Sequence, residues 1–158
     1  MVLKTMENFK EVPTIADAIG LEVLKVEAER VTGKMPVDSR THQPLGLLHG
    51  GASVVLAETL GSVGSHFLVS DQGKVAVGVE VNANHIRGVR SGWVFGEAKL
   101  IHRGGKMHVW NIEIKDEKER LVCTSRLTVM IIPNPNVDKM MMMYKIYIQM
   151  QNLLNNSC

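Results

Sequence analysis

The chain has 158 residues, 45% of them apolar and 22% charged, with a formal net charge of +2. That is one domain's length of chain with enough apolar side chains to bury a core, which excludes an intrinsically disordered protein. The near-balanced charge argues against a nucleic-acid partner, which needs a clustered basic face, yet a few cations around one phosphate remain compatible with it.

Met1 to Lys10 is too polar for a secretory signal. Thr14 to Gly20 reads as a short helix, with Thr14 as its cap, Asp17 completing a loose capping box and Gly20 as its stop. Leu21 to Val37 alternates imperfectly and predicts a strand or a hairpin. Asp38 to Leu48 reads as a long loop carrying Pro44 and Gly46. One long helix then begins near His49-Gly50-Gly51 and runs to about Val69, with Leu56, Leu60, Val63 and Phe67 as its core side.

Four strand-like runs follow: Val75 to Val81, Gly92 to Ile101, Met107 to Lys115 and Leu121 to Ile132. Valine fills every odd position of the first, a clean period of two. In the third, His108, Trp110, Ile112 and Ile114 share one face. The breaks at Asp71–Gly73, Arg103–Lys106 and Asp116–Glu119 read as turns, and such short connections favour an antiparallel meander. One helix cannot cover both faces of so large a sheet, so the economical packing is a sheet curled around a central helix. An open sheet edge would remain, for which dimerisation is a common remedy.

Pro133 and Pro135 end the last strand. The organisation expected is therefore a domain over residues 1–133 and a tail over residues 134–158. The tail has Met140 to Met143 in a row and reads as an amphipathic helix or as an extension without a role. No apolar run reads as a membrane span, and Cys123 and Cys158 make no disulfide framework. These features predict a cytoplasmic protein with no membrane partner. No Cys/His spacing suits a metal, and neither a Gly-rich nucleotide motif nor a Gly-x-Ser-x-Gly elbow is present.

Glu58 lies in the middle of the long helix with no cation beside it in sequence. It either faces solvent or lines a cleft, because an unpaired carboxylate is costly to bury. Val54, Val55, Gly61 and Ser62 are its helical neighbours, with Gly51 and Ser65 a turn further out, and this small, partly polar face favours the cleft. His49-Gly50-Gly51 is either a plain loop or a place where free N–H groups at a helix start meet an anionic oxygen. His85, Arg87 and Arg90, and the turn from His102 to Lys106, are basic segments that suit either solvent or a phosphate.

Taken together, Met35 to Pro44, Leu47 to Ser53, Leu56 to Ser62, Val81 to His85 and Ser125 to Thr128 resemble a known family. These segments are similar to the hotdog-fold thioesterases that hydrolyse aromatic acyl-CoA, over about Leu21 to Ile132. The branches concerned act on 1,4-dihydroxy-2-naphthoyl-CoA in menaquinone synthesis or proofread in enterobactin synthesis. The resemblance implies an α+β hotdog fold, an antiparallel sheet wrapped around one long central helix. It implies Glu58 as nucleophile or general base and the Gly50 N–H as oxyanion donor. Gln43 and His49 would hold the carbonyl and the leaving thiolate, and Ser62 would orient water or the carboxylate. Gly78, the run His85, Ile86, Arg87 and Gly88, and the run His102, Arg103, Gly104, Gly105, Lys106 and Met107 would contact substrate. No cofactor and no metal are implied, since CoA belongs to the substrate. The expected partner is a small-molecule acyl-CoA, and the expected assembly is a homodimer or homotetramer with active sites at the dimer interface. The chain departs from the family pattern at Gly88, Arg103 and Lys106, and beyond Pro133. A hotdog dehydratase using His49 and a non-catalytic acyl-CoA or acyl-carrier binding protein are the competing readings.

Overall fold

A computed structural model describes residues 13–135. The tail from Val137 to Cys158 and the opening stretch Met1 to Lys10 lie outside the described residues. The first element is the short helix α1 (Ile15–Ile19). The Thr14 backbone N–H and hydroxyl both donate to Asp17 Oδ2, at 2.8 and 2.7 Å, and Gly20 ends the helix at φ 71°.

The hairpin β1 (Glu22–Val26) and β2 (Arg30–Val37) follows, then the miniature ribbon β3 (His42–Gln43) and β4 (Leu47–Leu48). The long helix α2 (Gly50–Val69) comes next, with a 3-10 turn over Ser70–Gln72. Four long strands complete the chain: β5 (Lys74–His85), β6 (Gly92–Arg103), β7 (Met107–Asp116) and β8 (Leu121–Pro133). They form a six-stranded antiparallel sheet in the order β1-β2-β6-β7-β8-β5. The sheet and helix arrangement is the one expected from the sequence.

Three local features differ from expectation. The Asp38–Leu48 loop contains the β3–β4 ribbon, because Gly46 turns at φ 68° and donates to the Gln43 carbonyl at 2.9 Å. Strand β5 continues past Val81, since Asn82 to His85 find ladder partners in Arg126 to Cys123 on β8. A bulge between Gly78 and Glu80 also breaks the valine alternation. Val75 and Val77 pair with Ile132 and Met130, whereas Val81 pairs with Leu127 of the core.

The core lies between α2 and the sheet. Leu56, Leu60, Trp110, Ile112, Ile114 and Leu127 are fully buried there. Trp110 and its neighbours His108, Ile112 and Ile114 do share the inner face of β7. Gly61 and Gly64 face Trp110 so closely that a Cβ would come within 3.2 and 2.5 Å of its ring. Ser65 Oγ accepts from Trp110 Nε1 at 2.8 Å and lies 3.1 Å from His108 Nδ1. Gly61 and Ser65 therefore belong to the core side of α2 and not to the Glu58 side. In its last turns the buried stripe runs through Gly64, Leu68 and Val69, so Phe67 is left 39% exposed rather than in the core.

By length and apolar content alone, Gly50–Gln72 could cross a membrane, contrary to the expectation that no apolar run is of that kind. Its apolar window is 56% buried inside the fold, as befits a core helix.

Two predictions follow from this packing. Replacing Gly64 with leucine drives a side chain into Trp110 and Val31, and should lower the unfolding free energy by about 2 kcal/mol or more. Gly105→Ala, where a Cβ meets nothing within 4 Å, is the near-neutral control in the same denaturant titration. Burial, then the nearby Arg103 and His102 charges, hold the His108 pKa below its ordinary value. The unfolded chain thus takes up a proton that the folded chain refuses, so stability falls as pH drops below about 6.5. Melting temperature measured from neutral pH down to pH about 5 should fall more steeply in the wild type than in His108→Gln; equal slopes would disprove the assignment.

Candidate active site

The start of α2 is held by a buried threonine. The Thr41 hydroxyl donates to the Pro36 carbonyl at 2.9 Å, and the Thr41 carbonyl accepts from His49 N–H at 2.8 Å. His49 then caps the helix, its Nδ1 accepting from Gly51 N–H at 2.8 Å. Gly50 N–H is among the first donors of the helix, which lack intrahelical acceptors. No described residue accepts it.

The β3–β4 ribbon is fastened to the segment after β5. Leu48 N–H donates to the Val89 carbonyl at 2.8 Å, and His42 Nε2 lies 2.9 Å from the Arg90 carbonyl. Ile86 and Arg87 N–H both donate to the Val122 carbonyl. Between ribbon, helix start and this segment lies a cleft of about 250 Å³. Gln43, Gly50, His85, Ile86, Arg87 and Gly88 line it, so six of the residues expected from sequence converge here. Leu47, Leu48, Ser53 and Val122 complete the wall, and none of these four was singled out from sequence. Ser53 is buried one turn beyond Gly50, and its place on the inner side of α2 is the signal that could have found it.

His49 is exposed and does not line this cleft. The imidazole that does is His85, whose Nε2 would lie 2.6 Å from a Cβ placed on Gly50. Gln43 Oε1 accepts from Leu45 N–H at 2.6 Å, which leaves its amide N–H groups as the available donors.

Glu58 is half-buried and does not line the cleft around Gly50 and His85. Its Oε1 would lie 2.6 Å from a Cβ on Gly78, so the carboxylate rests against bare β5 backbone. A glycine inside a valine-rich strand is the sequence sign of such a close approach. Among the described residues, no cation or hydrogen-bond donor holds this carboxylate. Ser62 stands one turn further along on the same side, also half-buried.

One chain does not bring all of these groups together. Along α2 the backbone rises about 12 Å between Gly50 and Glu58. The second basic run lies further away still. Arg103, Gly104 and Gly105 border a separate hollow of about 190 Å³ with Lys74 and Gln72, beside Val69 at the far end of α2. His102 sits against Gly104, while Lys106 and Met107 are exposed around the same turn. Among the described residues, no group of three or more His, Cys, Asp or Glu side chains is placed to hold a metal ion.

Residues 45–123 match the model of the thioesterase superfamily. The chain is 59% identical over 98 residues to the 1,4-dihydroxy-2-naphthoyl-CoA hydrolase of Escherichia coli, covering 62% of this chain and 71% of that protein. It is 46% identical over 119 residues to the proofreading thioesterase EntH of Klebsiella pneumoniae, covering 75% and 86%. The crystal structure of a mutant thioesterase from Pseudomonas aeruginosa superposes with a TM-score of 0.77 at 46% identity, covering 83% of this chain and 94% of that one.

The place of Gly78 generates a prediction. An alanine there overlaps only the flexible end of the Glu58 side chain. Gly78→Ala should therefore leave the melting temperature within a few degrees of wild type while displacing the carboxylate. Turnover should fall by about ten- to a hundredfold; unchanged turnover would remove any functional meaning from this contact.

Proposed function

The chain belongs to the thioesterase superfamily and is a thioester hydrolase of hotdog fold, and on that premise we propose that it cleaves an aromatic acyl-CoA to the free acid and CoA. The substrate we favour is 1,4-dihydroxy-2-naphthoyl-CoA, the compound in the name of the 59% identical relative. The similarity to a proofreading thioesterase supports a second reading, an aryl thioester carried on a protein. Either reaction needs no cofactor, and an acyl-CoA substrate puts it in the cytoplasm.

The observation that carries the mechanism is the unpaired Glu58 carboxylate against the Gly78 backbone. Glu58 attacks the thioester carbon directly, or removes a proton from the water that does. The carbonyl oxygen gains negative charge and is met by Gly50 N–H at the positive end of α2. Gln43 amide N–H groups donate to the same region, and Ser62 orients the water or the carboxylate. Collapse of the adduct expels the thiolate. Arg87, from the cleft, and the basic turn around Arg103 and Lys106 bind the phosphates of CoA.

The axial gap between Gly50 and Glu58 is bridged by a second copy of the chain. β5 pairs with β8 along one side, and its other edge has no strand partner among the described residues. Pairing β5 with β5 of a second copy about a twofold axis sets the His85 end of one strand beside the Gly78 region of the other. Gly50 and His85 of one subunit then face Glu58 of its partner. The twofold also brings the far-end basic turn of one subunit toward the cleft of the other. The active unit is thus a homodimer, and pairing of dimers into a homotetramer is compatible with it.

Thiol release from 1,4-dihydroxy-2-naphthoyl-CoA, benzoyl-CoA and a medium-chain acyl-CoA tests the substrate class, with an aryl-carrier-protein thioester as the competing substrate. Glu58→Ala should reduce turnover at least a thousandfold with folding intact. A chain carrying Gly50→Val should also be inactive. Mixing the two inactive chains after unfolding and refolding should restore about a quarter of wild-type activity, because half the dimers are mixed and each has one intact site. No restoration, with mixed dimers demonstrated by mass spectrometry, would place both groups in a single subunit's site.

A further inference from the structure

The cleft contains an imidazole for which the proposed mechanism has no role yet. His85 closes β5, paired with Cys123, and although the residue is exposed its ring turns toward Gly50 at the start of α2. Its ring tip fills the space that a side chain at position 50 would take, with Nε2, Cδ2 and Cε1 all 2.6 to 3.1 Å from that point. No described residue holds the ring by a hydrogen bond or ion pair. His49, expected to meet the leaving thiolate, is exposed outside the cleft, and its Nδ1 is occupied by Gly51 N–H.

We propose that His85 is a catalytic residue of this site, the proton donor to the departing sulfur. The proposal rests on the thioester-hydrolase reading above. Its basis is position. The acyl oxygen bound at Gly50 N–H fixes the carbonyl carbon, and the thioester sulfur is bonded to that same carbon. A group abutting Gly50 is therefore within reach of the sulfur. Ile86 and Arg87, tied to the Val122 carbonyl, hold the backbone just after His85 in place. When the tetrahedral adduct collapses, the C–S bond breaks and its electron pair goes to sulfur. The His85 imidazolium delivers its Nε2 proton to that sulfur, the thiol leaves, and the neutral imidazole takes a proton back from solvent.

This role makes a demand that a structural role does not. An alkyl thiolate is a poorer leaving group than a nitrothiophenolate and gains more from protonation as it departs. The test uses two benzoyl thioesters, one of CoA and one of a nitrothiophenol, in the full chain. His85→Ala should lose about a hundredfold in kcat on the CoA thioester and no more than about threefold on the aryl thioester. His85→Gln, which can donate a hydrogen bond but cannot transfer a proton, should show the same split. Equal losses on both substrates would overturn the proposal, and so would the absence of any loss on the CoA thioester. Circular dichroism melts separate either result from misfolding. A wild-type chain that releases thiol from neither thioester sinks the hydrolase reading itself, a different outcome from wild-type turnover that His85 substitutions leave unsplit.

Discussion

The structure depends on how closely α2 approaches the sheet beneath it. Gly61 and Gly64 remove two side chains from the helix where Trp110 rises from β7. The indole then fills the gap, and its N–H is satisfied by Ser65. A large aromatic group with its one polar atom paired is a strong packing anchor. It fixes the height and direction of a helix about 30 Å long from a point past its middle. Both functional positions on that helix take their places from it. Gly50 is carried to the ribbon and His85, and Glu58 to the bare backbone of Gly78.

A carboxylate at Glu58 is tolerated because the wall beside it is incomplete. Gly78 gives the side chain room, and the unpaired edge of β5 keeps the region open to solvent in the single chain. An ion pair would stabilise the carboxylate further, but it would also blunt it for the proposed role of nucleophile or base. The fold keeps its cations elsewhere. Asp116 shows the contrast: its carboxylate accepts from Arg120 Nε at 2.8 Å and from Lys118 and Arg120 N–H. The Arg120 guanidinium and those N–H groups hold its pKa down to about 2. That carboxylate closes a turn, and Glu58 is left unheld.

Much of the fold was legible because its signals are local. Thr14, Asp17 and Gly20 specify α1 by capping alone. The pattern His108, Trp110, Ile112, Ile114 announces the inner face of β7. What the sequence hid were effects of the third dimension. The bulge between Gly78 and Glu80 is set by pairing with β8, and its one trace in the run of valines is Gly78 itself. The extension of β5 through His85 depends on the length of its neighbour. Phe67 left the core because the buried stripe drifts along α2 as it follows a twisted sheet. Among the site residues, Glu58, Gly50 and Gln43 were visible as a motif. The exchange of His49 for His85 as the imidazole of the cleft was not, since His85 lies 35 positions beyond Gly50 in the chain.

The division of the proposed site between the start of α2 and a point two turns along it has a physical logic. The helix start supplies N–H groups and a positive dipole end, suited to an oxygen that becomes negative. A carboxylate placed in the same first turn would sit on those donors itself and occupy the very site it is meant to serve. Setting Glu58 two turns along keeps it off the Gly50 N–H within its own chain. In the proposed dimer, an antiparallel second copy returns it to the N–H of the partner's Gly50 with a substrate between them. In that arrangement the spacing that divides the proposed site between two chains also keeps the carboxylate off the oxyanion donor of its own chain.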